Sequence, residues 1–396
     1  MSEMDKDPIV IVSAARTPLG GFQGDLSSVA GPVLGAHALS AAVERAGLAS
    51  DAVDEVFMGC VLSAGTGQAP ARQAALRGGL DQSVPATTIN KVCGSGMKTV
   101  MLAADALAMG RADVVVAGGM ESMSNAPYLL PKARGGFRLG HGEIKDHMFL
   151  DGLEDAYEGR LMGTYAEETA KHYQFSREMQ DAYALTSLAR AKQATEDGSF
   201  ASEIAPFTVK GRKGDVIVDK DEQPLKARPE KIPTLKPAFA ADGTVTAANS
   251  SSISDGAAAL VMMRRSEAEK RGLDMLAVIR GQAGHAQAPA WFTTAPVGAI
   301  NKLLEQVGWQ AGDVDLYEIN EAFAVVALAA IQELDLDAER VNVFGGACAL
   351  GHPIGASGAR IIVTLLNAMA RKGVSKGVAS LCIGGGEATA LAVERL

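Results

Sequence analysis

Cysteine is scarce in this chain: Cys60, Cys93, Cys348 and Cys382 are the only four among 396 residues. Spread so widely, they do not form a disulfide framework, and no CxxC pair offers zinc ligands. Charge is thin as well, at 21% of residues, and leans to acid. A net charge of −9 and a pI near 5.3 argue against generic nucleic-acid binding. No uncharged apolar run reaches the roughly 18 residues of a membrane span. No apolar h-region follows the polar opening from Met1 to Pro8, and the ending Glu394-Arg395-Leu396 is not the peroxisomal tripeptide. A soluble, cytoplasmic protein is expected. Disorder is excluded by a hydrophobic content of 47%, and the length suits two or three domain-sized units.

Glycine is what the chain has in excess: 44 residues, where background usage predicts about 28. They fall in short clusters, Gly94/Gly96, Gly118-Gly119, Gly345-Gly346, Gly351/Gly355/Gly358 and Gly384-Gly385-Gly386, which suggests tight turns crowding a site. In the first cluster, Asn90-Lys91-Val92-Cys93-Gly94-Ser95-Gly96 leads into a run from Thr99 to Met109 that is apolar on nearly every face, the pattern of a core helix. Cys93 therefore falls at or near the first turn of a buried helix, where free N–H groups and the helix dipole favour a thiolate. The bland reading is a buried structural cysteine.

Strands are expected at Ile9–Val12, Val53–Met58, Val114–Ala117, Ala257–Met263, Leu276–Arg280, Val314–Ile319, Val378–Ile383 and Thr389–Val393. Val114–Ala117 reads as a central, parallel-type strand. Helices are expected at Gly35–Ala46, Gln68–Arg77, Arg177–Asp197 with Ser176 as N-cap, Val297–Val307 and Ser357–Lys372. Glu44-x-x-Gly47…Val53-Asp54 repeats as Glu305-x-x-Gly308…Val314-Asp315, 261 positions later and without a gap. Two similar βαβαβ halves, each with its sheet covered on both faces, would form a layered α/β core. The intervening stretch is richer in charge, proline and aromatics. Within it, residues 210–236 carry eight Lys/Arg against five Asp/Glu, either a solvated loop or a docking surface for a phosphorylated ligand.

Three segments of the second half complement Cys93. Gly351-His352-Pro353-Ile354-Gly355-Ala356-Ser357-Gly358 sets a histidine in a glycine-lined turn before a helix. Cys382-Ile383-Gly384-Gly385-Gly386 ends an apolar strand with N–H groups free to face an anion. Asn320-Glu321-Ala322-Phe323 also follows a strand, where α/β proteins build sites. Taken singly, each has an ordinary structural explanation. Together they suit a reaction that needs a nucleophile, a base and oxyanion donors.

On these signatures, around Cys93, at Asn342–Gly358 and at Cys382–Gly386, the chain resembles the thiolases along nearly its whole length. The resemblance implies a five-layered αβαβα fold of two similar halves, with a loop domain inserted in the first. The expected divisions are 1–121, 122–252 (CoA docking and oligomer contacts) and 253–396. It implies that Cys93 is the acylated nucleophile, His352 its base and Cys382 the second acid/base. Asn320, through a water, joins His352 in one oxyanion hole; the N–H groups of Cys93 and Gly384 form the other. Ser251, Met162, Phe239, Ala247, Ala322 and Phe323 match positions lining the CoA arm, with core packing as the competing reading for the aromatics.

The substrates implied are acyl-CoA and CoA, with no separate cofactor, no metal and no nucleic-acid or membrane partner, in a homotetramer built as a dimer of dimers. The activity expected is acetyl-CoA C-acetyltransferase. A broader 3-ketoacyl-CoA thiolase, a decarboxylating condensing enzyme and a non-catalytic acyl-CoA binder are the alternatives. Departures from the family pattern stand at Leu161, Phe292, Phe344 and Glu387. None is expected to touch the catalytic set, though they leave acyl-chain preference open, Phe292 suggesting tolerance of a 2-methyl substrate.

Overall fold

The computed structural model describes residues 7–212 and 214–396. Alternating side chains decide its layers. Along β4 (Val114–Ser122), Val114 and Val116 face one apolar cluster while Val115 and Ala117 face another. The first cluster packs against α1 (Gly31–Arg45) and α2 (Pro70–Arg77). The second takes in α3 (Ser95–Ala108) and α8 (Ser357–Lys372), which fill the middle of the molecule. A third cluster sets α6 (Ala295–Val307) and α7 (Ala324–Glu333) on the far side. Helices, sheet, helices, sheet and helices follow in order: the expected five layers.

The strands of both sheet layers are hydrogen-bonded in one continuous series of ten. In it, β1 (Ile9–Arg16), β2 (Glu55–Gly59), β3 (Ala86–Ile89), β4 and β5 (Ser254–Arg264) make the first half, ordered β3-β2-β4-β5-β1. The second half is β7-β8-β9-β6, from β6 (Ala277–Ala286), β7 (Leu316–Ile319), β8 (Lys376–Ile383) and β9 (Glu387–Glu394). Among the described residues, the strands of the two halves pair with each other where Val10 and Ile11 meet Val278 and Ala277. The tenth strand, Gly20–Gly21, pairs with the start of β5.

Pairing senses match as well. β2 is parallel to β3 and β4, and β5 is antiparallel to β4 and β1. Correspondingly, β7 is parallel to β8 and β9 is antiparallel to β8 and β6. The fifth strand of the second half shrinks to a single parallel bridge, Tyr317 with Val341. The repeat seen in the sequence has a mechanism in each half. Gly47 and Gly308 take positive φ of 65° and 69° and close their helices with N–H bonds to Glu44 O and Glu305 O. Asp54 Oδ2 accepts from the N–H groups of Asp113 and Val114; Asp315 Oδ2 accepts from those of Ser375 and Lys376.

Two expectations change. Val114–Ser122 is a mixed strand, parallel on one side and antiparallel on the other. The strand after the insertion, Ser254–Arg264, pairs with β1 and β4 and completes the first sheet, so the second half begins near β6 and not at 253. An apolar run cannot declare which sheet it will join; pairing over such separations is a tertiary choice.

The insertion holds α4 (Met162–Tyr173), α5 (Arg177–Glu196) and the hairpins Tyr128–Leu129/Lys145–Asp146 and Phe207–Val209/Val216–Val218. Ser176 caps α5 by accepting from the Met179 N–H, whereas the amide of Gln180 turns away to Phe175 O and Thr244 Oγ1. A buried Arg16 binds both oxygens of Asp221, at 2.7 and 2.8 Å, and Glu203 at 2.5 Å, tying the insertion to β1. No described helix is long and apolar enough to cross a membrane.

Candidate active site

Each chemically suited side chain stands where a strand or turn hands over to a helix, and the two central helices bring those turns together. α3 begins at Ser95 with Gly94 as its N-cap, so Cys93 lies just before the helix and is partly exposed. The turn is strained: Val92, β-branched, takes φ 46°, a conformation that costs about 1–3 kcal/mol. Hydrogen bonds hold it there. Asn90 Oδ1 accepts from the Val92 N–H, and Ser95 Oγ donates to Val92 O while accepting from the Lys91 N–H.

α8 begins at Ser357, and the turn before it carries His352. That turn is pressed into the first half. A Cβ at Gly119 would lie 2.1 Å from Gly355 O, one at Gly59 2.6 Å from the same oxygen, and one at Gly96 2.7 Å from Ala359 N. Only glycine permits these approaches. The buried Glu121 carboxylate adds a tie, accepting from the N–H groups of Val61, Leu62 and Gly355 at 2.9–3.1 Å. Burial pushes its pKa up to about 7, those N–H groups pulling the other way.

His352 is buried, and its hydrogen bonds fix its tautomer. Nδ1 lies 2.5 Å from Ser357 Oγ, whose own hydrogen is given to Pro353 O. The hydroxyl can then only accept, so Nδ1 carries the proton and Nε2 presents a lone pair. Nε2 is buried and has no protein partner. Burial, then the nearby Arg360 charge, lower the pKa of the imidazole to about 3, which keeps it neutral. A neutral imidazole with a free lone pair is a base.

Cys382, fully buried near the end of β8, is close enough to Cys93 to feel its charge; burial and then that charge raise its pKa well above the ordinary thiol value. The N–H groups of Gly384 and of Cys93 itself lie near the Cys93 sulfur and favour its thiolate. Burial raises its pKa to about 11, and those two donors oppose the rise. Two N–H groups converging on a sulfur are also placed for an oxyanion on a carbonyl bonded to it.

Asn320 follows β7, buried, with its backbone N–H on Ser380 O. Arg360 Nη2 stands 3.4 Å from Asn320 Oδ1, which leaves Nδ2 as the end without a protein partner. Its neighbour Glu321 accepts from Tyr183 OH, Ser187 Oγ, Asn342 Nδ2 and the Cys348 N–H, and so fastens the segment that leads to His352.

The expected CoA-arm positions divide. Ser251 donates its N–H to Ala322 O, and Ser252 O accepts from the His352 N–H, so this segment links the asparagine and histidine turns. Phe323 packs edge-on against Phe239 and Phe292, in one apolar cluster with Met162, Ala322 and Cys382. Ala247 lies instead in a groove of about 280 Å³ lined also by Gln223, Arg228, Lys231, Ala248, Ser252 and Cys348. Of the basic stretch, Arg228 and Lys231 reach this groove, while Lys210 and Lys226 are paired with Asp215 and Glu222. Lys213 lies outside the described residues. Glu387, expected to stand clear of the catalytic set, forms an ion pair with Lys91 in the Cys93 turn.

Ser357, Arg360 and Glu121 carry functions that motif reading missed. Ser357 alone had a signal, because Ser-Gly opens both central helices, at Ser95-Gly96 and Ser357-Gly358. Among the described residues no cluster of three His, Cys, Asp or Glu could hold a metal ion.

Comparison with known proteins gives the family. Residues 9–266 match the family described as Thiolase, N-terminal domain, and residues 273–395 match Thiolase, C-terminal domain. The chain is 51% identical over 389 residues to an acetyl-CoA acetyltransferase of Cupriavidus necator, covering 98% of this chain and 99% of the relative. It is 52% identical to acetyl-CoA acetyltransferases of Escherichia coli K12 and Arabidopsis thaliana, again over 98% of this chain, and over 99% and 94% of those relatives.

Proposed function

Matched in both halves and about half identical to relatives along nearly its full length, the chain belongs to the thiolase family, and on that premise we propose that it is an acetyl-CoA C-acetyltransferase. It interconverts two acetyl-CoA with acetoacetyl-CoA and CoA by a ping-pong route. In the first half-reaction His352 Nε2 takes the Cys93 proton as sulfur attacks the thioester carbonyl. The departing CoA sulfur takes a proton from Cys382, leaving acetyl-Cys93, a Cys382 thiolate and a protonated His352. In the second, that thiolate removes an α-proton from another acetyl-CoA and the enolate attacks the acetyl carbonyl. Collapse of the adduct releases acetoacetyl-CoA and expels the Cys93 sulfur, which recovers its proton from His352 Nε2.

Burial makes both thiols reluctant to ionise, so proton transfer to a positioned base must accompany attack. The Cys93 and Gly384 N–H groups receive the oxyanion on Cys93. Asn320 Nδ2, through a water, and His352 Nε2, while it holds the proton taken from Cys93, donate to the thioester oxygen of the incoming CoA. Losing one such donor typically raises a barrier by about 3 to 4 kcal/mol. The observation that carries this reading is the Cys93 sulfur with the N–H groups of Cys93 and Gly384 near it, and its charge felt at the buried Cys382.

CoA would enter along the groove of Ala247, Ala248 and Ser252, with Arg228 and Lys231 toward its phosphates and Ser251, Met162, Phe239, Ala322 and Phe323 nearer the reacting end. The exposed apolar side chains of Tyr128, Leu130, Phe137, Leu139 and Ile144, around the 128–146 hairpin, support a homotetramer. Four free cysteines suit the reducing cytoplasm. Thiolysis assayed on 3-ketoacyl-CoAs of rising length tests the reading. Acetoacetyl-CoA should be the best substrate, and labelled acetyl-CoA should mark Cys93; a preference for long chains favours a β-oxidation thiolase, and absence of label refutes the acyl-cysteine.

A further inference from the structure

Two N–H groups lie near the Cys93 sulfur, that of Cys93 and that of Gly384, and they are held by different means. That of Cys93 is fixed by its own turn, through the hydrogen bonds around Val92. That of Gly384 comes from the other half of the molecule, on a turn of three consecutive glycines in which Gly385 and Gly386 take φ of 91° and 86°. A glycine turn has much freedom to lose, so its aim must be set by what it rests on. Apolar contact supplies part of that support: Ile383 fills the space beside Gly94, and Val92 stands beside Gly384. A charged contact between the turns is the ion pair of Lys91 with Glu387. Lys91 directly precedes strained Val92, and Glu387 opens β9, where pairing with Ile383 and Ala286 anchors it.

We propose that the Lys91–Glu387 pair is a latch across the two halves, which holds the Gly384 N–H on the reacting sulfur and so positions the oxyanion hole. Both are positioning residues; neither touches the reacting atoms. The inference rests on Cys93 being the acylated residue. The side chains are 28% and 40% exposed, so the pair is partly screened by salt and its contribution is modest. The site uses it because a donor displaced by a fraction of an ångström loses much of its value to the transition state.

The test compares Lys91→Gln, Glu387→Gln and the exchange Lys91→Glu with Glu387→Lys. Each single change should lower kcat for thiolysis about three- to tenfold and leave KM nearly unchanged. Each should slow alkylation of Cys93 at fixed pH, because the thiolate loses a donor. The exchange should restore at least half of the loss. Added salt should lower kcat of the parent enzyme and have little effect on kcat of the single variants. Unchanged kcat in both single variants overturns the latch, as does a loss confined to KM or one that the exchange does not repair. Mass spectrometry of acetyl-Cys93 in the parent enzyme reports separately on the acylation premise.

Discussion

The two halves share one plan and differ in what their central turns carry. Both have the same strand order, the same aspartate tying two strands at Asp54 and Asp315, and the same Ser-Gly opening to the middle helix. Before α3 that turn presents Cys93; before α8 it presents His352. The serines diverge with them. Ser95 Oγ bonds only backbone and stabilises a strained turn, whereas Ser357 Oγ accepts from an imidazole and sets its tautomer. A duplicated scaffold thus presses two turns that carry unlike groups against each other, and the first half yields room at Gly59, Gly96 and Gly119 so that the second can approach. The repeat supplies position, and the departures from it supply chemistry.

The comparison breaks most sharply at the nucleophile. Cys93→Ala should lower thiolysis by at least about 10⁴-fold while the fold survives, as thermal unfolding would show. Gly119→Ala comes next. With Gly355 O only 2.1 Å from the new Cβ, the histidine turn must move, and kcat should fall by roughly 100-fold or more. Gly312→Ala is the control, since its Cβ would meet nothing within 4 Å. The serine pair gives a finer division. Ser357→Ala should lower kcat about 10- to 100-fold with little change in KM, and Ser95→Ala should chiefly lower stability, by about 1–2 kcal/mol in denaturant titration.

Acid should expose His352. Its folded pKa, about 3, lies below the unfolded value of about 6.5, so across that window the unfolded chain binds a proton that the folded one refuses. Stability is therefore full above the upper value and declines as pH falls through the window, by a few kcal/mol. His352→Gln should flatten that dependence. The smallest contrast is between the shared aspartates: Asp54→Ala and Asp315→Ala should each cost about 1–3 kcal/mol of stability, by similar amounts and without an effect on kcat.

Much of this was legible beforehand. The helix Ser357–Lys372 runs as its residues indicate, because Ser-Gly at one end and Gly373 at the other punctuate an amphipathic run. Cys93, His352, Asn320 and Cys382 were visible because each sits beside glycine or a strand end. What stayed hidden depends on contacts between distant segments. Ser254–Arg264 could not announce that it crosses to the first sheet. Glu121 and Arg360 look like ordinary charges until folding buries them against Gly355 and Asn320. Glu387 seemed a mere variation after the glycine triplet until Lys91 was found beside it.

Division of labour between the two sulfurs is the claim on which the mechanism turns, and acid-quenched mass spectrometry of a Cys382→Ala variant mixed with acetyl-CoA tests it most directly. Acetyl should accumulate on Cys93 with no acetoacetyl-CoA formed. An unlabelled Cys93, or condensation proceeding at the parent rate, would contradict it.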